Sequence, residues 1–196
     1  MKNKKVLFLT QAAMIAALYV VLTEISNIFG LASFAIQIRF SEALTILPFF
    51  TPAAIPGLFA GCIISNLLVS ANIFDIIFGS LATLSGAFFT YLIGRWSKRH
   101  SGSGIYATTT PYPPTNKIKT SQSKQNRTKI AAWFAPIPPI LSNTLIIPFV
   151  LKYAYGLEPL WLFFLTVFVG EFISCAILGM PLLFLVKKYA RHIFKE

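Results

Sequence analysis

The chain has 196 residues, 56% of them hydrophobic and 12% charged, with a mean hydropathy of +0.70; a soluble domain carries roughly twice that share of charge. So much apolar surface has no place in one small water-exposed core, which excludes a soluble enzyme and leaves an integral membrane protein of about six or seven crossings at ~20 residues each. The formal charge of +11 does not point to a nucleic-acid partner, because the basic residues sit in blocks between apolar runs and no folded soluble surface remains to present them.

In chain order, Lys2, Lys4 and Lys5 precede a first apolar run over residues 6–29. It lacks a small-residue cleavage site and is expected to be an uncleaved helix. A shorter run, 41–50, reads as half a helix stopped at Thr51-Pro52, since a residue before proline avoids the helical region. Runs 52–71 and 73–94 are each long enough to span a bilayer. Eight basic residues then fill Arg95 to Lys129. Within this stretch, residues 98–129 are rich in Ser, Thr, Pro and Lys and are expected to form a flexible polar loop. A solvated linker is the plain account of it, and attraction to anionic lipid headgroups the alternative. Runs 131–151 and 160–187 follow, and Lys187, Lys188, Arg191 and Lys195 close the chain.

Basic blocks mark cytoplasmic loops, so the N-terminus, the 98–129 loop and the C-terminus are all expected inside. An even number of crossings must then separate Lys5 from Arg95. This makes 41–50 a short crossing sheltered by protein. The expectation is a single all-α membrane domain over residues 1–196, with six transmembrane helices, a short second one and both termini cytoplasmic. Trp96 and Trp133 would anchor the inner interface, and Tyr153, Tyr155 and Trp161 the outer one.

The usual machinery of catalysis is missing. There is no GxxxxGK[ST] phosphate loop. The histidines, His100 and His192, fall in basic segments, and no acids sit at metal-motif spacing. Cys62 and Cys175 lie in apolar runs and read as small hydrophobes. No enzyme activity, cofactor or metal is expected.

An ionisable group at membrane depth costs ~2.5–3.5 kcal/mol on insertion scales, so each one is a candidate functional residue. They are Glu24, Arg39, Glu42, Asp75 and Glu171, with Asn143 as the main buried amide. Under the expected topology the first four cluster towards the outer face. Glu171 lies about 15 Å and Asn143 ~10 Å below it, at 1.5 Å per residue. A polar pocket opening outward follows. Each residue also has a plainer role: Arg39 and Glu42, at i,i+3, pair at a helix start; Asp75 caps a helix; Glu24 is solvated; Asn143 bonds between helices. Glu171 has no basic neighbour in sequence and needs a partner from another helix, a ligand or a proton. Gly57 and Gly61 form GxxxG, a close-packing pattern. Ala12/Ala16 and Ala13/Ala17 form overlapping AxxxA pairs, which serve internal packing or the docking of a partner.

These features resemble the substrate-binding S components of energy-coupling-factor transporters. Within that group, IQIRFSEALTILPFFTPAAIPGLFAG (36–61), DIIFGSLATL (75–84), PIPPILSNTLIIP (136–148) and GEFISCAILGMPLL (170–183) are similar to the QueT-type queuosine-precursor members. The resemblance covers nearly the whole chain outside the polar loop, which is longer than in the compact family pattern. It implies capture of a 7-deazapurine from outside, either 7-aminomethyl-7-deazaguanine or its nitrile relative. It also implies delivery through a coupling module of a transmembrane scaffold and two ATPases in a bacterial cytoplasmic membrane. The four alanines Ala12, Ala13, Ala16 and Ala17 would dock the scaffold. Glu171 and Glu42 would meet the base edge and the aminomethyl cation, and Asn143 would complete the edge. Arg39 would orient Glu42 or close the outer loop, Asp75 belongs to the same outer cluster, and Trp161, Tyr153 or Tyr155 would stack on the ring. The rivals are an S component for another vitamin, a stand-alone proton-coupled carrier with Glu171 as relay, and a membrane-embedded enzyme.

Overall fold

The structure, a computed structural model, describes residues 4–31, 38–69, 72–100 and 130–193. Among these there is no strand, and four helical stretches are long and apolar enough to cross a membrane: Lys4–Ile28, Ile73–Ser97, Ile130–Tyr155 and Leu160–Lys188. Their outward faces carry large apolar side chains such as Leu9, Leu18, Leu145, Leu165 and Ile177, while Thr23, Ser65, Asn66, Thr90 and Asn143 are buried. Polar groups inside and hydrocarbon outside is the arrangement that a lipid solvent favours.

The first helix, α1, runs Lys4–Ile28. The short run follows as α2, Phe40–Phe49, and it is wound as a 3-10 helix. Winding of that kind rises about 2.0 Å per residue against 1.5 Å in an α-helix, so a short segment covers more depth. Two local features suit it. The Thr45 hydroxyl donates to the Glu42 carbonyl at 2.6 Å, three residues back. Pro48 has no N–H for an α-helical bond. Every residue from Ser41 to Phe49 is buried, so tertiary packing holds a 3-10 run much longer than usual.

The helix α3, Ala54–Val69, packs along α1. A Cβ on Gly57 would stand 2.7 Å from the Ala12 carbonyl oxygen, and one on Gly61 would stand 2.8 Å from the Tyr19 Cβ. The GxxxG face is therefore filled by α1 backbone, as expected for close helix approach. Next comes α4, Ile73–His100, which extends past the expected end at residue 94. Residues 98–100 of the expected polar loop are thus its last turn, and 101–129 lie outside the described residues.

The fifth run breaks into a helical turn at 130–133 and the helix α5, Ile137–Tyr155. Pro136, Pro138 and Pro139 explain the break, because none can donate a backbone hydrogen bond to a preceding turn. Gly156 stops α5 in the left-handed conformation at φ +68°. The last run also divides, into α6 (Leu160–Glu171), a π-helical segment (Phe172–Leu178) and α7 (Gly179–Ile193). Pro181 has no N–H to offer the Ile177 carbonyl, and the wider turn ahead of it accommodates that gap. The π segment and α7 pack on the buried α2, so that α2 is enclosed by α1, α3, α4, α7 and the π segment.

Candidate functional site

The polar residues of α2 face the rest of the bundle at full burial, and that placement builds the site. The backbone N–H of Phe40 donates to the Ser26 hydroxyl at 2.8 Å, and Thr23 donates to Ser41 at 2.8 Å. These bonds pin the start of α2 to α1 and set the depth of Glu42. The Tyr19 hydroxyl then donates to Oε1 of Glu42 at 2.5 Å. From α5, the Asn143 amide donates to Oε2 of Glu42 at 3.5 Å, and it lines the same cavity as Glu171 at the end of α6.

Cys175, one turn beyond Glu171 in the π segment, donates to Oε2 of Glu171 at 3.4 Å. Its sulfur also lies 3.5 Å from the Glu42 carbonyl oxygen and 3.5 Å from the Thr45 hydroxyl. The donor atoms of Glu42, Glu171 and Cys175 all fall within 4.8 Å of one another. Cys175 is buried as expected, and its thiol also faces the carboxylate pair, as its i,i+4 spacing from Glu171 permits.

Arg39 stands at the mouth of this cluster. Its Nη1 donates to Oδ1 of Asn66 on α3 at 3.4 Å, and Asn66 in turn donates to the Asp75 carbonyl at 3.3 Å. Asp75 is buried in the first turn of α4 and is linked to Arg39 through Asn66.

These side chains enclose a cavity of about 10 Å3, lined by Arg39, Glu42, Gly79, Thr83, Asn143 and Glu171 with two aliphatic neighbours. That is room for about one water molecule. A larger groove of about 440 Å3, bordered by Phe74, Phe78, Leu145 and Phe149, lies on the apolar surface of α4 and α5. Tyr153 also borders it, and its otherwise apolar lining matches the lipid-facing character of its surroundings.

Of the residues singled out from sequence, Glu42, Glu171, Asn143 and Arg39 line one cavity, with Asp75 in support. Trp161 does not join them. It is 68% exposed at the start of α6, and Tyr153 (79%) and Tyr155 (44%) are also exposed near the end of α5. None of the three lines the cavity. The helix ends that carry them stand away from the cavity that Glu42 and Glu171 line. The alanine pairs also divide. Ala12 is buried and Ala16 is half-buried against Gly57 and Gly61, whereas Ala13 and Ala17 are exposed. Of the four alanines, Ala13 and Ala17 form the exposed edge of α1.

Among the site residues that sequence reasoning missed are Tyr19, Cys175, Asn66 and Thr83. Tyr19 carried a signal: with Thr23 and Ser26 it makes a polar stripe at i, i+4 and i+7 along an apolar helix, and all three are buried. Cys175 had only its i,i+4 spacing from Glu171.

Comparison with known proteins adds the following. A family model described as "QueT transporter" matches residues 9–188. A curated relative, "Queuosine precursor transporter QueT" from Lactococcus lactis subsp. cremoris (strain MG1363), is 39% identical over 84 residues, covering 43% of this chain and 49% of that protein. The matched part thus spans about half the length of that relative. No solved structure matches the chain.

Proposed function

Because the chain belongs to the QueT transporter family, we propose that it captures a 7-deazapurine precursor of queuosine and carries it into the cell as the substrate-binding subunit of an energy-coupling-factor importer. It is a multi-pass membrane protein. On this reading it has six crossings, α2 being the short one, and both termini are cytoplasmic in a bacterial cell membrane. The pocket opens outward, and ATP is hydrolysed by partner subunits. It is a single domain over residues 1–196 and is not an enzyme.

The single observation that carries the reading is the meeting of Glu42, Asn143 and Glu171 from three separate segments in a buried cluster. A guanine-type edge presents adjacent N–H donors, which a carboxylate accepts as a fork, and a carbonyl that an amide N–H meets. An aminomethyl substituent is cationic and suits the second acid. The name carried by the Lactococcus lactis relative supports this ligand class. A bicyclic base is far larger than the present cavity of about 10 Å3, so the site widens to admit it. The coupling scaffold docks on the α1 face of Ala12, Ala13, Ala16 and Ala17, entering at its exposed Ala13/Ala17 edge.

Equilibrium binding to detergent-purified protein tests this directly. Aminomethyl-deazaguanine and its nitrile analogue are expected to bind without ATP or partners, and riboflavin, thiamine and biotin are not. If an active preparation ignores both deazapurines, the reading fails. Glu171→Gln is expected to weaken binding, and an unchanged affinity would remove Glu171 from the site.

A further inference from the structure

We propose that the empty pocket holds one proton between Glu42 and Glu171 and exchanges it for the cationic group of the incoming ligand. The inference rests on the transport reading for the identity of the ligand, but its origin is the charge inventory of the site.

The charged and titratable groups of the elements around the carboxylate pair are these. Arg39, at the start of α2, is the cation that lines the cavity beside Glu42 and Glu171. On α4, Asp75 is linked to Arg39 through Asn66. Tyr19 on α1 and Cys175 in the π segment approach as hydroxyl and thiol donors. The Cys62 sulfur on α3 accepts from the Thr83 hydroxyl. The α5 helix contributes Asn143, which is uncharged. The α7 helix packs on α2 through Met180 and Leu183. The cavity wall itself therefore carries two carboxylates and one guanidinium.

The ligand atoms of Glu42 and Glu171 lie within 4.8 Å of each other, and one guanidinium offsets only one carboxylate, so in this buried site the second keeps a proton. The cavity of about 10 Å3 accepts about one water-sized occupant; a proton needs none of that space, and a cation held by Glu42, Glu171 and Cys175 is the rival neutraliser that the sodium arm of the test reads. When the ligand's ammonium arrives it supplies the compensating charge, the second carboxylate ionises, and the proton leaves to bulk solvent. Each ammonium gained expels one proton, and the charge in the pocket is conserved.

The test is calorimetry on the full-length protein with 7-aminomethyl-7-deazaguanine, in phosphate, HEPES and Tris at one pH. The dependence of observed heat on buffer ionisation heat gives the protons exchanged. About one proton released per ligand is expected, with affinity rising about tenfold per pH unit while the pair remains protonated. The nitrile analogue, which brings no cation, is expected to release close to none, and so is the Glu171→Gln variant, which has no second carboxylate. Should that variant fail to fold, the wild-type pH series and the nitrile comparison still decide the matter. Binding without proton release overturns the proposal and leaves the transport reading intact. A requirement for sodium in place of the proton overturns it equally. Absence of any deazapurine binding overturns both.

Discussion

The phenol of Tyr19 and the carboxylate of Glu42 form a fully buried hydrogen bond of 2.5 Å between α1 and α2. A charge-assisted bond of this kind contributes about 1.5–3 kcal/mol, and here it fixes the rotamer of an acid that the cavity depends on. Tyr19→Phe keeps the ring packing and deletes the donor. It is expected to weaken binding of 7-aminomethyl-7-deazaguanine by roughly tenfold or more. Unfolding temperature measured in parallel separates lost positioning from lost fold; unchanged affinity would show that Glu42 needs no such support.

The α1–α3 interface should be the least forgiving of added volume. A methyl group on Gly57 meets the Ala12 carbonyl at 2.7 Å, and neither backbone can give way cheaply. Gly57→Ala is expected to cost about 1–3 kcal/mol of stability, read as a lower midpoint in thermal unfolding of the detergent-solubilised protein. A midpoint equal to wild type would mean that the two helices are free to separate.

The two alanine pairs on α1 should respond in opposite ways. Ala12 is packed inside, and Ala12→Leu is expected to destabilise the protein by overpacking. Ala17 is exposed, so Ala17→Trp is expected to leave deazapurine affinity within about twofold while preventing co-purification with the coupling module. Retention of the module by Ala17→Trp would place the docking face elsewhere.

Trp161 offers a check on the limits of the site. It lies outside the cavity and is largely exposed, so Trp161→Ala is expected to change ligand affinity by less than about twofold. A large loss on calorimetry would mean that the start of α6 folds over the ligand in the bound state.

Much of this protein is written in local order. The long apolar runs, the proline and glycine stops and the basic blocks between them determine the helical class. The rarity of charge inside those runs singles out Arg39, Glu42, Asp75, Asn143 and Glu171, because each is costly in hydrocarbon and is kept only for a reason. What local order does not determine is which of these meet. Glu42 and Asn143 are 101 residues apart, and their encounter depends on how α2 is enclosed by its neighbours. The same holds for winding. The 3-10 form of α2 and the π segment after Glu171 arise from packing around prolines, whereas the i,i+4 spacing of Glu171 and Cys175 already places both on one helix face. Exposure was likewise a tertiary decision: AxxxA spacing permits close approach on either edge of α1, and only the position of Gly57 and Gly61 assigns Ala12 and Ala16 to the interior. Composition and spacing set the energy of placing each residue in the membrane; which side chains then neutralise one another depends on distances that exist only after the helices pack.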